Sequence, residues 1–188
     1  MNPAISQTRD LAHIALFAAI IAALGLVPAI PLPFLPVPIT AQTLGVMLAG
    51  AILGSRKGAA AVLVFLLLVA IGLPLLPGGR GGFGVFFGPT AGFLLSWPIG
   101  AFVIGLLMER LRERVNLFTA ILFNLAGGVV VIYAGGIAWL SLVAGVPLWG
   151  ALTGSAAFIP GDIVKAVVAA SVALTVHRAY PSLVRRAG

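Results

Sequence analysis

Charged side chains are kept out of nearly every long apolar run of this 188-residue chain, and that pattern decides its class of fold. Only 8% of residues are charged and 61% are hydrophobic, whereas a soluble domain carries about 25% charged residues. No single soluble domain fits. The chain reads as a polytopic membrane protein whose length suits one compact bundle, so residues 1–188 are expected to form a single membrane-embedded domain. Cysteine is absent, which excludes disulfides, thiolate metal sites and cysteine nucleophiles.

The apolar runs predict six transmembrane helices. Span 1 covers about Leu11 to Val27, after a short polar segment from Met1 to Asp10, and stops at Pro28. It has the length of a signal-peptide core, but five more apolar runs come after it, so it is read as a retained span. Prolines at 28, 31, 33, 36 and 38 then forbid a helix or a central strand. They predict a stiff, extended, apolar loop, a lid or plug against the bundle. Span 2, about Thr40 to Gly54, is closed by Arg56 and Lys57. Span 3 runs from about Ala59 to Leu73, before a glycine-rich loop at Gly78 to Gly88. Span 4 is about Pro89 to Met108. The run after Val115 exceeds the roughly 20 residues of one crossing. Span 5 is therefore ended near Gly135–Gly136, leaving Trp139 and Trp149 in an interfacial connection. Span 6 is about Pro160 to Val176.

Arg9, Arg56, Lys57, Arg110, Arg112, Arg114, Arg178, Arg185 and Arg186 all fall at the termini or in even-numbered connections. The positive-inside rule then places both termini in the cytoplasm. The net charge of +7 is thus mostly a topology signal. A nucleic-acid surface would need a basic stripe on a soluble face.

Asp162 and Lys165 break the rule that apolar runs are free of charge. They are three residues apart at the start of span 6 and share one helical face. A charge inside a membrane faces a partner or a cavity, not lipid. Two readings stay open: an internal salt bridge that fixes the bundle, and a site where a polar solute meets the pair. From Pro160 to Arg178 is roughly 27 Å of helix, about one hydrocarbon thickness, so the pair lies in the outer half. Arg80 is the one other charged side chain assigned there. Two cations and one anion leave a net positive charge, which suits a solute with one carboxylate.

The glycine loop lacks the Walker and dinucleotide patterns. Its glycines, Gly82 and Gly84 among them, allow close backbone approach to a ligand, with Arg80, Phe83, Phe86 and Phe87 as walls; the alternative is a flexible external turn. Gln42 and Thr43, in the first turn of span 2, either support the helices or offer amide and hydroxyl groups to a ligand. Asn116 reads as a helix-start residue and Asn124 as an interhelical hydrogen-bonding group. Ala15, Ala19 and Ala23 form a small-residue line on span 1; the spacing favours packing inside the bundle over docking of another membrane protein. His13 and His177 are read as interfacial. An intramembrane hydrolase would need a nucleophile and base, or clustered metal ligands, and the chain has few acids and no such cluster.

Three stretches closely resemble one family: Pro38-Ile-Thr-Ala-Gln-Thr-Leu-Gly-Val-Met-Leu-Ala-Gly50, Gly81-Gly-Phe-Gly-Val-Phe-Phe-Gly-Pro-Thr-Ala-Gly-Phe93 and Phe158-Ile-Pro-Gly-Asp-Ile-Val-Lys165. They are similar to the BioY family, the biotin-specific S components of energy-coupling-factor vitamin transporters. The resemblance implies an all-helical, six-helix protein of the cytoplasmic membrane that captures biotin from outside. It implies three partners, a transmembrane coupling protein and two cytoplasmic ATPases, and no cofactor. It implies that Asp162 and Lys165 are the polar pair of the biotin site. The glycine loop and Gly88-Pro89-Thr90 match the family's pocket-forming turn, and Ala15 and Ala19 match its docking line. The alternatives are an S component for another vitamin and, from a different class, an intramembrane enzyme.

Overall fold

The computed structural model describes residues 3–180. Among them are seven helices and one small hairpin. In chain order these are α1 (Pro3–Leu24), β1 (Ile30–Leu32), β2 (Leu35–Ile39), α2 (Gln42–Leu53), α3 (Ser55–Ala70), α4 (Ala91–Arg110), α5 (Leu117–Leu142), α6 (Leu148–Ala156) and α7 (Ile159–Ala179). Short 3₁₀ turns occupy Phe83–Phe87 and Arg112–Arg114. Four segments are long and apolar enough to cross a membrane: Gln7–Leu24, α4, α5 and α7. The chain is a helical membrane protein.

Gly54 alone separates α2 from α3. Its φ of 84° is a conformation that glycine adopts without strain. Arg56 and Lys57, expected to close span 2, therefore lie in the first turn of α3. That turn is held by Glu109, whose carboxylate accepts from Ser55 N and Ser55 Oγ, both at 2.7 Å. An anion is favourable against the unsatisfied N–H groups of a helix start. Lys57 pairs with Asp10 of α1 at 2.7 Å, and the His177 ring of α7 meets Ile52 O at 3.4 Å. These contacts gather Arg9, Arg56, Lys57, Arg110, Arg112, Arg114 and Arg178 at one end of the bundle. Arg185 and Arg186 lie outside the described residues.

The apolar core joins Phe17 and Ile21 of α1, Val46 and Met47 of α2, Phe65 of α3, Trp97 and Ile104 of α4, and Ile132 of α5. Burying alanines on α7, at 166, 169, 170 and 173, lets that helix pack closely. Between α4 and α5 the approach is closer still. A Cβ at Gly92 would strike Trp139 and the Gly135 carbonyl, and one at Gly100 the Gly127 carbonyl.

This packing overturns the expected end of span 5. Gly135 and Gly136 sit inside α5 because they fit against Ser96 and Phe93 of α4, so the helix continues to Leu142. Its 26 residues are accommodated with a π segment at Ala126–Val131. Trp139 consequently lies within the helix and not in a connection; its Nε1 donates to Gly88 O at 3.0 Å. The connection after it contains α6, on which Trp149 is exposed. Asn116 does start a helix: its side chain accepts from Thr119 N in a capping box. Asn124 differs from expectation. Its Nδ2 donates within its own helix, to Ala120 O at 2.8 Å.

The proline-rich loop is extended, as expected, and pairs with itself as a hairpin, Ile30 with Ile39 and Leu32 with Leu35. Both strands of a two-stranded ribbon are edges, where prolines are tolerated. Leu35 and Val37 are buried while Pro36 between them is exposed.

One consequence concerns α4. A Cβ at Gly105 would meet the backbone of Gly54 and Ser55, which cannot swing aside as a side chain would. Gly105→Val should destabilise the protein by about 1–3 kcal/mol or more. Gly161→Ala, where a Cβ meets nothing, should be neutral to stabilising by about 0.5–1 kcal/mol. Thermal unfolding of the two variants in one detergent checks the contrast.

Candidate ligand-binding site

At the end of the bundle away from the basic cluster, the starts of α2, α4 and α7 converge with the middle of α5. They surround a cavity of about 600 Å³, counting its open mouth. The hairpin closes one side through Val37, Pro38 and Ile39, so the proline loop does act as a wall over the bundle. Leu76, Pro77 and Arg80 close another.

The polar centre is one network from three helices. Lys165 Nζ is 2.7 Å from Asp162 Oδ1 and donates to Thr43 Oγ1 at 2.9 Å. Thr43 Oγ1 donates to the same Asp162 oxygen at 3.4 Å. Tyr133 OH donates to Asp162 Oδ2 at 2.6 Å. The Asp162 side chain is 4% exposed and that of Lys165 14%. Pro160 sits in the first turn of α7, where its missing N–H costs nothing. Asp162 falls in that same turn, where the helix dipole favours a negative charge. Both Asp162 oxygens are engaged. Lys165 has three donors and gives two to protein groups, which leaves one for a ligand.

Around this network the walls are apolar. Phe93, Tyr133 and Phe158 meet edge to face, with ring centroids 6.0–6.3 Å apart. Leu94, Trp97 and Ile132 complete the lining. Arg80 lines the mouth; its Nε donates to Pro77 O at 3.3 Å within its own loop. The charged side chains of the lining are Arg80, Lys165 and Asp162, a net positive set.

Of the residues singled out from the sequence, Asp162, Lys165, Arg80, Gln42, Thr43 and Thr90 come together in this lining. Gly82, Gly84 and Phe87 do not. The turn at Phe83–Phe87 buries none of its residues, and Phe83 and Phe87 meet edge to face at 5.5 Å instead of lining the cavity. Gly82 N bonds Val69 O at 2.8 Å and so anchors the loop. Ala15, Ala19 and Ala23 are exposed and do not line the cavity, while Ala18 is buried. The line is therefore not packed inside the bundle, contrary to what its spacing favoured.

Sequence reading gave no role to Phe93, Trp97, Tyr133 or Phe158. Tyr133 carried a usable signal, a polar hydroxyl in the middle of an apolar span. The π segment that immediately precedes it was not readable. Each extra residue in a helical turn rotates the rest of the helix by about 100°, so the face occupied by Tyr133 could not be taken from α-helical spacing.

Comparison with known proteins comes to the same kind of molecule. The model of the BioY family matches residues 1–182. A biotin transporter BioY of Rhizobium etli is 59% identical over 186 residues, covering 96% of this chain and all of that protein. Another, of Rhodobacter capsulatus, is 54% identical over 183 residues, covering 93% and 96%. A crystal structure of the S-component for biotin from an ECF-type ABC transporter superposes with a TM-score of 0.88 at 36% identity, covering 92% of this chain and 93% of that one.

The buried pair has its own test. Asp162→Leu would strand a largely buried ammonium and should cost about 3–5 kcal/mol of stability. Removing both charges, as Asp162→Leu with Lys165→Met, should cost clearly less than Asp162→Leu alone. Thermal unfolding without ligand checks the order of the two.

Proposed function

The chain belongs to the BioY family, and we propose that it captures biotin outside the cell for uptake, as the S component of an energy-coupling-factor transporter. The observation that carries this reading is the cavity itself. It combines apolar, aromatic walls with a net positive polar centre, which suits a bicyclic ring and aliphatic chain ending in one carboxylate. The relatives are transporters, and the chain is not an enzyme.

In this reading the basic end of the bundle faces the cytoplasm, both termini lie there, and the cavity opens to the outside of the cytoplasmic membrane. Six helices cross: α1 to α5 and α7. The nine residues of α6 are too few to span. The whole chain acts as one substrate-binding unit. Lys165 holds the carboxylate, with Arg80 at the mouth as its second cation. Asp162 orients Lys165, because both its oxygens are already engaged. Thr43 and Thr90 complete the polar wall. Gly82, Gly84 and Phe87 shape the loop that carries Arg80. No cofactor is involved. The exposed alanines at 15, 19 and 23 form the docking line for a transmembrane coupling protein, which in turn carries two cytoplasmic ATPases.

The carboxylate assignment is tested by a cycle. Lys165→Met should cost about 2–5 kcal/mol of biotin binding. Part of that loss is the stranding of Asp162, so the control is biotinamide, the neutral analogue. The substitution should weaken biotin much more than biotinamide, a coupling well above measurement error. Equal losses would show that Lys165 only supports α7, and would move the carboxylate to Arg80.

Docking is tested separately. Tryptophan at positions 15 and 19 should block close helix approach. The doubly substituted chain should copurify poorly with the ATPase-bearing module and still bind biotin nearly as well as the wild type. Copurification at wild-type yield would remove α1 from the interface.

A further inference from the structure

Five buried side-chain polar atoms among the described residues have no protein hydrogen-bond partner: Arg9 Nε, Gln42 Oε1, Trp97 Nε1, Asn124 Oδ1 and Ser155 Oγ. Gln42 and Trp97 are the two of these residues that line the cavity. Gln42 is 0% exposed and Trp97 4%. A buried polar group without a partner costs free energy, and such groups call for an explanation when a fold keeps them.

The two atoms are of opposite kinds, and each is held in place. Gln42 Nε2 donates to two backbone carbonyls, Ile21 O and Leu75 O, both at 3.0 Å. Those contacts fix which end of the amide is the nitrogen and leave Oε1 as a pure acceptor. The Trp97 indole stacks on Phe65 at 6.0 Å, and its N–H is a donor only. The charged centre is already engaged within the protein, where Asp162 receives Lys165, Thr43 and Tyr133. The cavity lining thus holds two kinds of polar group, a cationic centre at Lys165 and a neutral donor and acceptor at Trp97 and Gln42.

A cyclic urea presents a C=O acceptor beside an N–H donor. Resting on the proposed capture of biotin, we infer that Gln42 and Trp97 are the specificity pair for the ureido ring. Gln42 Oε1 accepts from a ureido N–H and Trp97 Nε1–H donates to the ureido carbonyl, while Lys165 takes the acid. A site built to hydrogen-bond its ligand rejects analogues that cannot answer, because its own polar groups are then left unpaired. The ring is therefore read by neutral groups and the tail by charge.

The test uses the full-length chain in detergent or nanodiscs, with biotin and 2-thiobiotin, whose C=S is a weaker acceptor. Trp97→Phe keeps an aromatic ring on Phe65 and removes only the N–H. It should weaken biotin about tenfold and 2-thiobiotin less than about threefold. Equal losses for the two ligands would show that Trp97 only packs, and would overturn the inference while leaving the biotin reading intact. Failure of the wild-type chain to bind biotin would overturn that reading and the inference with it. Should Trp97→Phe not fold, the indole N–H resonances of the wild type decide. Trp139, already bonded to Gly88 O, and exposed Trp149 are the references. Biotin should move the Trp97 resonance downfield, and 2-thiobiotin should move it less; an unmoved Trp97 resonance at saturation would overturn the inference.

Discussion

An ammonium and a carboxylate cannot be taken out of water without a loss of several kcal/mol each. Asp162 and Lys165 are both largely buried, so the rest of the site must make that placement tolerable. It does so with three helices. Thr43 comes from α2, Tyr133 from α5 and the pair itself from α7. The position of the pair on α7 also matters, since the helix start stabilises the Asp162 charge. Asp162 accepts three hydrogen bonds within the protein, and Lys165 keeps one donor free. A ligand therefore meets a cation already held in place by its own anion.

Holding three helices to that tolerance depends on close packing without large side chains. Gly92, Gly100 and Gly135 bring the α4 and α5 backbones together, and the alanines of α7 are fully buried. In lipid such approach is the main source of helix association, because tails and side chains are equally apolar. The π segment of α5 belongs to the same scheme. Gly127 and Gly128 within it lie against Ile104 and Met47, and Ile132 and Tyr133 enter the cavity just beyond it. At the other end, Glu109 on Ser55 and Asp10 on Lys57 lock the helix ends, so the cavity end is free to be specialised.

Much of this was legible in the residues. Membrane class, the basic end, the polar pair and the wall of prolines all come from where charge and proline fall, and those are local statements. Three-dimensional partners were harder to read. Gly135 and Gly136 resembled a helix end and are instead a contact surface, because a glycine that breaks an isolated helix can complete a packed one. Phe83 and Phe87 resembled cavity walls and pair with each other instead. Tyr133 and Trp97 were missed because a rotation within α5, and the burial of single nitrogen and oxygen atoms, leave no mark on spacing. Ala15, Ala19 and Ala23 show the limit most plainly: the same small-residue line fits an internal seam or an outward face, and only exposure separates the two.

The central claim is that this chain alone forms a complete biotin site from its own helices. It contains no nucleotide-binding motif, so capture must not depend on ATP. Calorimetric titration of biotin into the purified chain, with no coupling protein and with or without ATP, tests this most directly. The account predicts saturable binding with the same affinity in both conditions. Binding that appears only when ATP or another subunit is added would contradict it.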